Sequence, residues 1–126
     1  MKIHELLSES LETLPPEASI VEAAQKMDQC DIGALAISED GKVAGLITDR
    51  DITVNVIAKG LDPLQLLVKD VMSSPVVYVS ADAEIEEARE KMLANNVGRI
   101  VVLDEERKLL GVASLRDLER ARKRAA

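Results

Sequence analysis

Phe and Trp are missing from this chain, Tyr78 is its only aromatic residue, and Cys30 and His4 are the single members of their kinds. Each absence removes a class of function. Without aromatic platforms the usual means of stacking single-stranded bases is lost. One cysteine makes no internal disulfide, which fits a reducing compartment. His4 lies near a terminus with no second His or Cys close by to complete a metal shell, and no His stands near Cys30 to activate its thiol. No apolar run approaches the length that spans a bilayer, and Met1-Lys-Ile-His-Glu5 lacks the apolar stretch of a secretion signal, so a cytoplasmic protein with no membrane partner is expected. Cations are scarce as well: 16 Lys and Arg face 23 Asp and Glu, a net charge of −7 that opposes binding to a nucleic-acid backbone. No nucleophile with a base, no metal cluster and no Gly-x-x-x-x-Gly-Lys loop is present, so an enzyme is not expected.

What the chain does have is a repeat. Ala18-Ser-Ile-Val-Glu-Ala-Ala-Gln-Lys-Met27 recurs as Ala83-Glu-Ile-Glu-Glu-Ala-Arg-Glu-Lys-Met92. Ile32-Gly33 answers to Val97-Gly98, and Lys42-Val-Ala-Gly-Leu-Ile-Thr-Asp-Arg-Asp-Ile52 answers to Lys108-Leu-Leu-Gly-Val-Ala-Ser-Leu-Arg-Asp-Leu118. The lead-ins match too, with Ile3, Leu6 and Ser8 against Val68, Val71 and Ser73. In 126 residues each copy alone buries too little surface to be secure, so the copies are expected to pack on each other, with any site between them. The division reads as residues 1–60 for the first copy with its lead-in, 61–70 for a linker and 71–126 for the second copy.

Ile20, Ala23, Ala24 and Met27 fall at helical spacing, and Ile85, Ala88 and Met92 keep the stripe. Pro15-Pro16 sets an extended entry to the first helix, and Ser80-Ala-Asp82 offers caps to the second. The runs Ala34–Ile37 and Val43–Ile47 read as strands joined by a tight turn at Glu39-Asp-Gly41, with Ile100–Leu103 and Leu109–Ala113 as counterparts. A second helix follows each hairpin, about Thr48 to Ala58 and Ser114 to Arg124. One more short strand precedes each copy's first helix, at Leu11–Leu14 and Val76–Val79. Gly60-Leu-Asp-Pro63 breaks the chain, and Leu64–Val71 reads as a short packed helix. The fold class is α/β (α+β), strand, helix, strand, strand, helix in each copy.

The sharpest local signal is Gly45-Leu-Ile-Thr48-Asp-Arg-Asp51 with its partner Gly111-Val-Ala-Ser114-Leu-Arg-Asp117. A strand ends, a hydroxyl residue opens a helix, and a carboxylate follows three positions on. Two readings stand side by side. Thr48 and Ser114 are N-caps, with Asp51 and Asp117 closing capping boxes. Alternatively, the hydroxyls and unbonded N–H groups face a phosphate while each Asp holds a ribose.

These motifs, with Val97-Gly-Arg-Ile-Val-Val-Leu-Asp104 and the Val71-Met-Ser73 lead-in, resemble a tandem pair of cystathionine-β-synthase (CBS) domains, a Bateman-type module of the small stand-alone bacterial kind. The resemblance covers essentially the whole chain. It implies two β-α-β-β-α repeats related by a pseudo-twofold axis, two clefts that take AMP, ADP, ATP or S-adenosylmethionine, no required cofactor, and homodimers joined through helices. Carried over by position, Asp117 holds ribose and Ser114 phosphate, with Ile32, Gly33 and Ala34 lining the adenine pocket and Ser8 at its edge. Asp51 and Thr48 do the same opposite Val97, Gly98, Ser73 and Val76. Val112 and Leu46, inside the two motifs, complete the sets, and Arg99 aligns with an arginine that meets phosphate. Ala34 stands where the second copy has Arg99, and Gly33 and Gly98 stand where some members are basic, so the cleft with Asp117, Ser114 and Arg99 is expected to be the better one. The function implied is a regulatory sensor acting on a separate protein partner. Its rival is a ligand-free dimerisation scaffold in which both Asp residues only cap helices. Arg116, Arg120, Arg122, Lys123 and Arg124 make the last helix basic, which complements its dipole or meets a partner. Glu84, Glu86, Glu87 and Glu90 read as a solvated face.

Overall fold

The computed structural model describes residues 1–7 and 11–125, which form two compact units, one of residues 12–76 and one that joins residues 77–125 to residues 1–7 and 11. In the 12–76 unit β1 (Thr13–Leu14) runs parallel to β2 (Ala34–Glu39), which pairs antiparallel with β3 (Lys42–Thr48). The β2–β3 turn uses Asp40 and Gly41 at φ of 53° and 80°, the left-handed pair that matches the twist of a two-residue hairpin. In the other unit β4 (Tyr78–Ser80) runs parallel to β5 (Arg99–Leu103), which pairs antiparallel with β6 (Leu109–Ser114). There Asp104 closes a longer loop, its Oδ1 accepting from the N–H groups of Glu106 and Lys108 at 2.8 and 2.9 Å.

Helix α1 (Ile20–Cys30) opens on Ser19, whose Oγ accepts from Glu22 N at 3.0 Å. It buries Ile20, Ala23 and Met27 against Leu35, Ile37, Ile47 and Val56, while Ala24, read as part of the stripe, is exposed. Helix α3 (Ile85–Ala94) buries Ile85, Ala88 and Met92 against Ile100, Val102 and Leu118. Its N-cap is Glu84 and no side chain caps it; the expected Ser80 instead accepts from Asp82 N at 3.3 Å within the preceding turn. Each core is aliphatic and methionine-lined, and full burial of one such side chain contributes roughly 1.5–3 kcal/mol.

The second helices differ. Helix α4 (Leu115–Ala125) is continuous, whereas α2 (Asp49–Ile52) gives way to a π turn over Thr53–Ile57. The stretch Leu64–Val71, expected to be helical, holds only a 3₁₀ turn at Val68–Asp70. Its backbone is engaged elsewhere: Val68 N donates to Ala18 O at 2.7 Å, and Leu66 O accepts from Ile20 N at 3.0 Å. The first lead-in makes the same bonds one repeat away, with Ile3 N donating to Ala83 O at 2.8 Å and Met1 O accepting from Ile85 N at 3.1 Å. Each lead-in therefore completes the unit built from the other copy's strands and helices. Ile3 and Val68, both fully buried, are its anchors.

Candidate functional site

In the 12–76 unit the strand register brings the motif residues to one end of the sheet. Ala34 lies opposite Thr48, and Ala36 opposite Leu46. Asp49 N donates to Gly33 O at 2.9 Å, so the Ile32–Gly33–Ala34 turn borders the start of α2. The second lead-in docks beside it: Ser73 N donates to Leu46 O at 2.9 Å and Ser73 O accepts from Leu46 N at 3.1 Å. Val76 is half-buried in the same unit.

Thr48 caps the helix with extended backbone angles, φ −117° and ψ 163°. Its Oγ1 accepts from Asp51 N at 3.1 Å, and Asp51 Oδ2 accepts from Thr48 N at 2.9 Å, so the capping box is closed in both directions. Asp49, next to Thr48, plays a part that the sequence reading missed. Asp49 Oδ1 accepts from Arg50 N at 2.8 Å, and with Asp49 N bonded to Gly33 every one of the first three N–H groups of α2 has an acceptor. The unbonded N–H groups expected there are taken up, one of them by a carboxylate of the chain itself. Asp next to an N-cap was the available signal, since helix starts favour negative charge.

The second motif repeats the frame with one difference. Arg99 lies opposite Ser114, Val101 opposite Val112, and Leu115 N donates to Gly98 O at 2.9 Å. Asp117 N donates to Ser114 Oγ at 3.0 Å and Ser114 N to Asp117 Oδ2 at 3.3 Å, a longer reciprocal bond than in the first motif. Leu115 stands where the first copy has Asp49 and has no carboxylate to offer the N–H of Arg116. Asp117 is exposed, Ser114 and Arg99 are half-exposed, and the Arg99 guanidinium donates to Gly98 O at 3.3 Å. Val97 is half-buried, its N–H bonded to Met92 O at 3.0 Å, and the space beside Gly98 is open. Among the described residues no donor reaches Oδ1 of Asp51 or Asp117, and none of Arg50, Arg99 and Arg116 forms an ion pair. Ser8 lies outside the described residues. Ile32, Gly33 and Ala34 share a unit with Thr48 and Asp51, and Val97, Gly98 and Arg99 share one with Ser114 and Asp117.

The geometry thus shows the capping reading at both motifs and leaves one oxygen of each carboxylate and both hydroxyl protons for another acceptor or donor. His4 and Cys30 are exposed, and no group of metal-ligating side chains occurs among the described residues. No helix among them is long and apolar enough to cross a membrane.

A model of the CBS domain matches residues 3–57 and 68–124. An uncharacterized protein of Methanopyrus kandleri is 31% identical over 119 residues, 94% of this chain and 61% of its own length. A CBS domain-containing protein of Bacillus subtilis is 32% identical over 116 residues, 92% of this chain and 81% of that one. The chain spans only 24% of an inosine-5′-monophosphate dehydrogenase of Methanocaldococcus jannaschii, to which it is 35% identical. Among solved structures, a CBS domain protein of Pyrobaculum aerophilum complexed with AMP superposes with a TM-score of 0.84 at 28% identity, covering 93% of this chain and 89% of that one. Two matched domains, the twice-built strand–hydroxyl–x–x–Asp frame and these relatives agree, and the chain belongs to the CBS-domain family as a tandem pair of its repeats.

Proposed function

We propose that this chain is a regulatory module that binds an adenosine-containing ligand, AMP, ADP, ATP or S-adenosylmethionine, works as a homodimer and passes occupancy to a separate protein partner. The observation that carries the reading is the unused Oδ1 of Asp117 and Asp51 at the end of a helix-capping carboxylate. A carboxylate already fixed by its own helix is pre-oriented, so it accepts ribose hydroxyls at little further entropy cost. The relative crystallised with AMP supports the choice of ligand class. Ser114 and Arg99 are the residues for phosphate, and the absence of a competing carboxylate at Leu115 favours this motif over the one with Asp49.

Regulation then requires only that the ligand favour one arrangement of the protein over another, because a ligand shifts an equilibrium by its differential affinity and no more. The test is thermal unfolding with each of the four ligands, beside Asp117→Asn and Asp51→Asn. A ligand at one hundred times its dissociation constant adds about 2.7 kcal/mol to the folded state. The reading expects a shift of which Asp117→Asn removes the larger part and Asp51→Asn the smaller. No shift with any of the four ligands would leave the scaffold reading in its place.

A further inference from the structure

Tyr78, the only aromatic residue of the chain, is not spent on the core. Val77 and Val79 on either side of it turn into the apolar cluster around Ile100, and Tyr78, on the opposite face of β4, is 37% exposed. Two cations from different elements converge on it. The Lys91 ammonium of α3 lies 4.8 Å from the ring centre and donates to Tyr78 O at 2.6 Å. The Arg107 guanidinium, from the loop between β5 and β6, lies 5.2 Å from the ring centre and donates through Nη2 to the phenol oxygen at 2.9 Å. Both cations are exposed, and among the described residues neither meets a carboxylate, in a chain with 23 Asp and Glu.

The first copy is built differently at the same corner. Thr13 stands for Tyr78, Gly41 for Arg107 and Lys26 for Lys91, and Lys26 is neutralised at 3.1 Å by Glu12, where the second copy has Val77. Gly41 holds a φ of 80° without penalty, whereas Arg107 holds 66°, a left-handed backbone that disfavours any side chain. A cation–π contact at an exposed ring offsets little of that strain. The corner also lies apart from the Ser114–Asp117 frame. Strand β5 starts with Arg99 beside Ser114 and ends with Leu103 beside Leu109, and Arg107 belongs to the loop at that far end.

From this we infer that Tyr78, Arg107 and Lys91 form the docking point for an acidic segment of the protein partner, with one carboxylate seated between the Arg107 guanidinium and the phenol O–H. The phenol oxygen accepts from Arg107, so its own proton is left to donate, and the guanidinium keeps most of its N–H groups for a second acceptor. Tyr and Arg side by side are the residue types that most often anchor protein interfaces. Two cations serve a single acidic side chain or a pair. A nucleic-acid backbone or a lipid surface needs a broad basic field, which a net charge of −7 denies. The inference rests on the protein-partner part of the proposed function and names that partner's chemistry.

The probe is the end-blocked peptide Ser-Gly-Glu-Glu-Gly-Ser, with Ser-Gly-Gln-Gln-Gly-Ser as its neutral control and inorganic phosphate as a third arm. Proton NMR of the Tyr78 ring follows each titration, because no other residue gives phenol signals. The expected result is a saturable shift with the glutamate peptide alone, weakened about tenfold in Arg107→Gly and less in Tyr78→Phe and Lys91→Gln. Arg107→Gly restores the residue that the first copy has on this backbone, so the fold is expected to survive it, with circular dichroism unchanged. No shift with the glutamate peptide, or a shift that Arg107→Gly leaves intact, would overturn the docking point. An equal response to phosphate would overturn the acidic segment in favour of a small anion. Thermal shifts with AMP on the same samples read the nucleotide sensor separately: a peptide response without an AMP shift would keep the corner and remove the sensor, and the converse would keep the sensor and remove the corner.

Discussion

A β-carbon built on Gly45 would lie 2.9 Å from the backbone carbonyl oxygen of Ser73 and would also run into the side chain of Met72. The corresponding position in the other unit is less strict, because a β-carbon on Gly111 would meet only the Leu7 side chain, at 3.0 Å. Gly45→Ala is therefore expected to cost about 1–3 kcal/mol, and Gly111→Ala less, since a side chain yields where a hydrogen-bonded backbone does not. Urea unfolding of the two variants checks the order. Because Ser73 is bonded to Leu46, Gly45→Ala should also raise hydrogen exchange at Leu46 and Ser73.

Thr48→Ala and Ser114→Ala each remove one half of a capping box, and each should cost about 0.5–2 kcal/mol in thermal or urea unfolding. Asp49→Leu copies the second motif into the first. It strips Arg50 N of its acceptor, so a small loss of stability should come with tighter nucleotide binding at the first motif, read by calorimetry in an Asp117→Asn background.

The α3–α4 pairing carries a pH signature. The Glu119 carboxyl is held below its ordinary range by the hydrogen bond from Arg89, a side chain at 2.6 Å, and Glu84 is held low in the same way by Lys2 at 2.9 Å. A carboxylate whose folded pKa is depressed stabilises the fold above its unfolded pKa, and that contribution is lost as pH falls through the folded value. Stability should thus decline on the acid side, below the ordinary carboxylate range, and be level around neutrality. Glu119→Gln should flatten that decline. Both pairs are solvent-exposed, so molar salt should mute the difference.

Burial of the lead-in anchors gives a further measurement. Ile3→Ala and Val68→Ala each open a cavity in a closed core and should cost about 2–5 kcal/mol, whereas Leu64→Ser, at a side chain 71% exposed, should be nearly neutral.

Much of this was legible in the sequence. The repeat itself, the apolar stripe through Ile20 and Met27, the Asp40-Gly41 hairpin and the Ser/Thr-x-x-Asp frame are local patterns, and local patterns survive translation into structure. What escaped depends on partners far away. Leu64–Val71 looked helical because it is apolar, but the carbonyl of Leu66 and the N–H of Val68 bond to α1 and its lead instead of to helical partners four residues away. Glu84, Glu86, Glu87 and Glu90 are exposed as read, but the pairing of Glu84 with Lys2 and of Glu86 with Arg122 was not legible, because those cations come from distant parts of the chain. The role of Asp49 was hidden behind the stronger pattern of Thr48 and Asp51.

The exchanged lead-ins put the duplication out of phase with the solid it builds. Severing the chain in the Gly60–Pro63 turn would not release two small proteins; it would leave each fragment with an unfilled socket and a tongue cut for the other's socket. Such fragments should recombine as a non-covalent whole when mixed, and alone each should seek another copy of itself. The two repeats are thus bound to a shared fate: neither can be lost, transplanted or allowed to drift without spoiling the fold of its sibling.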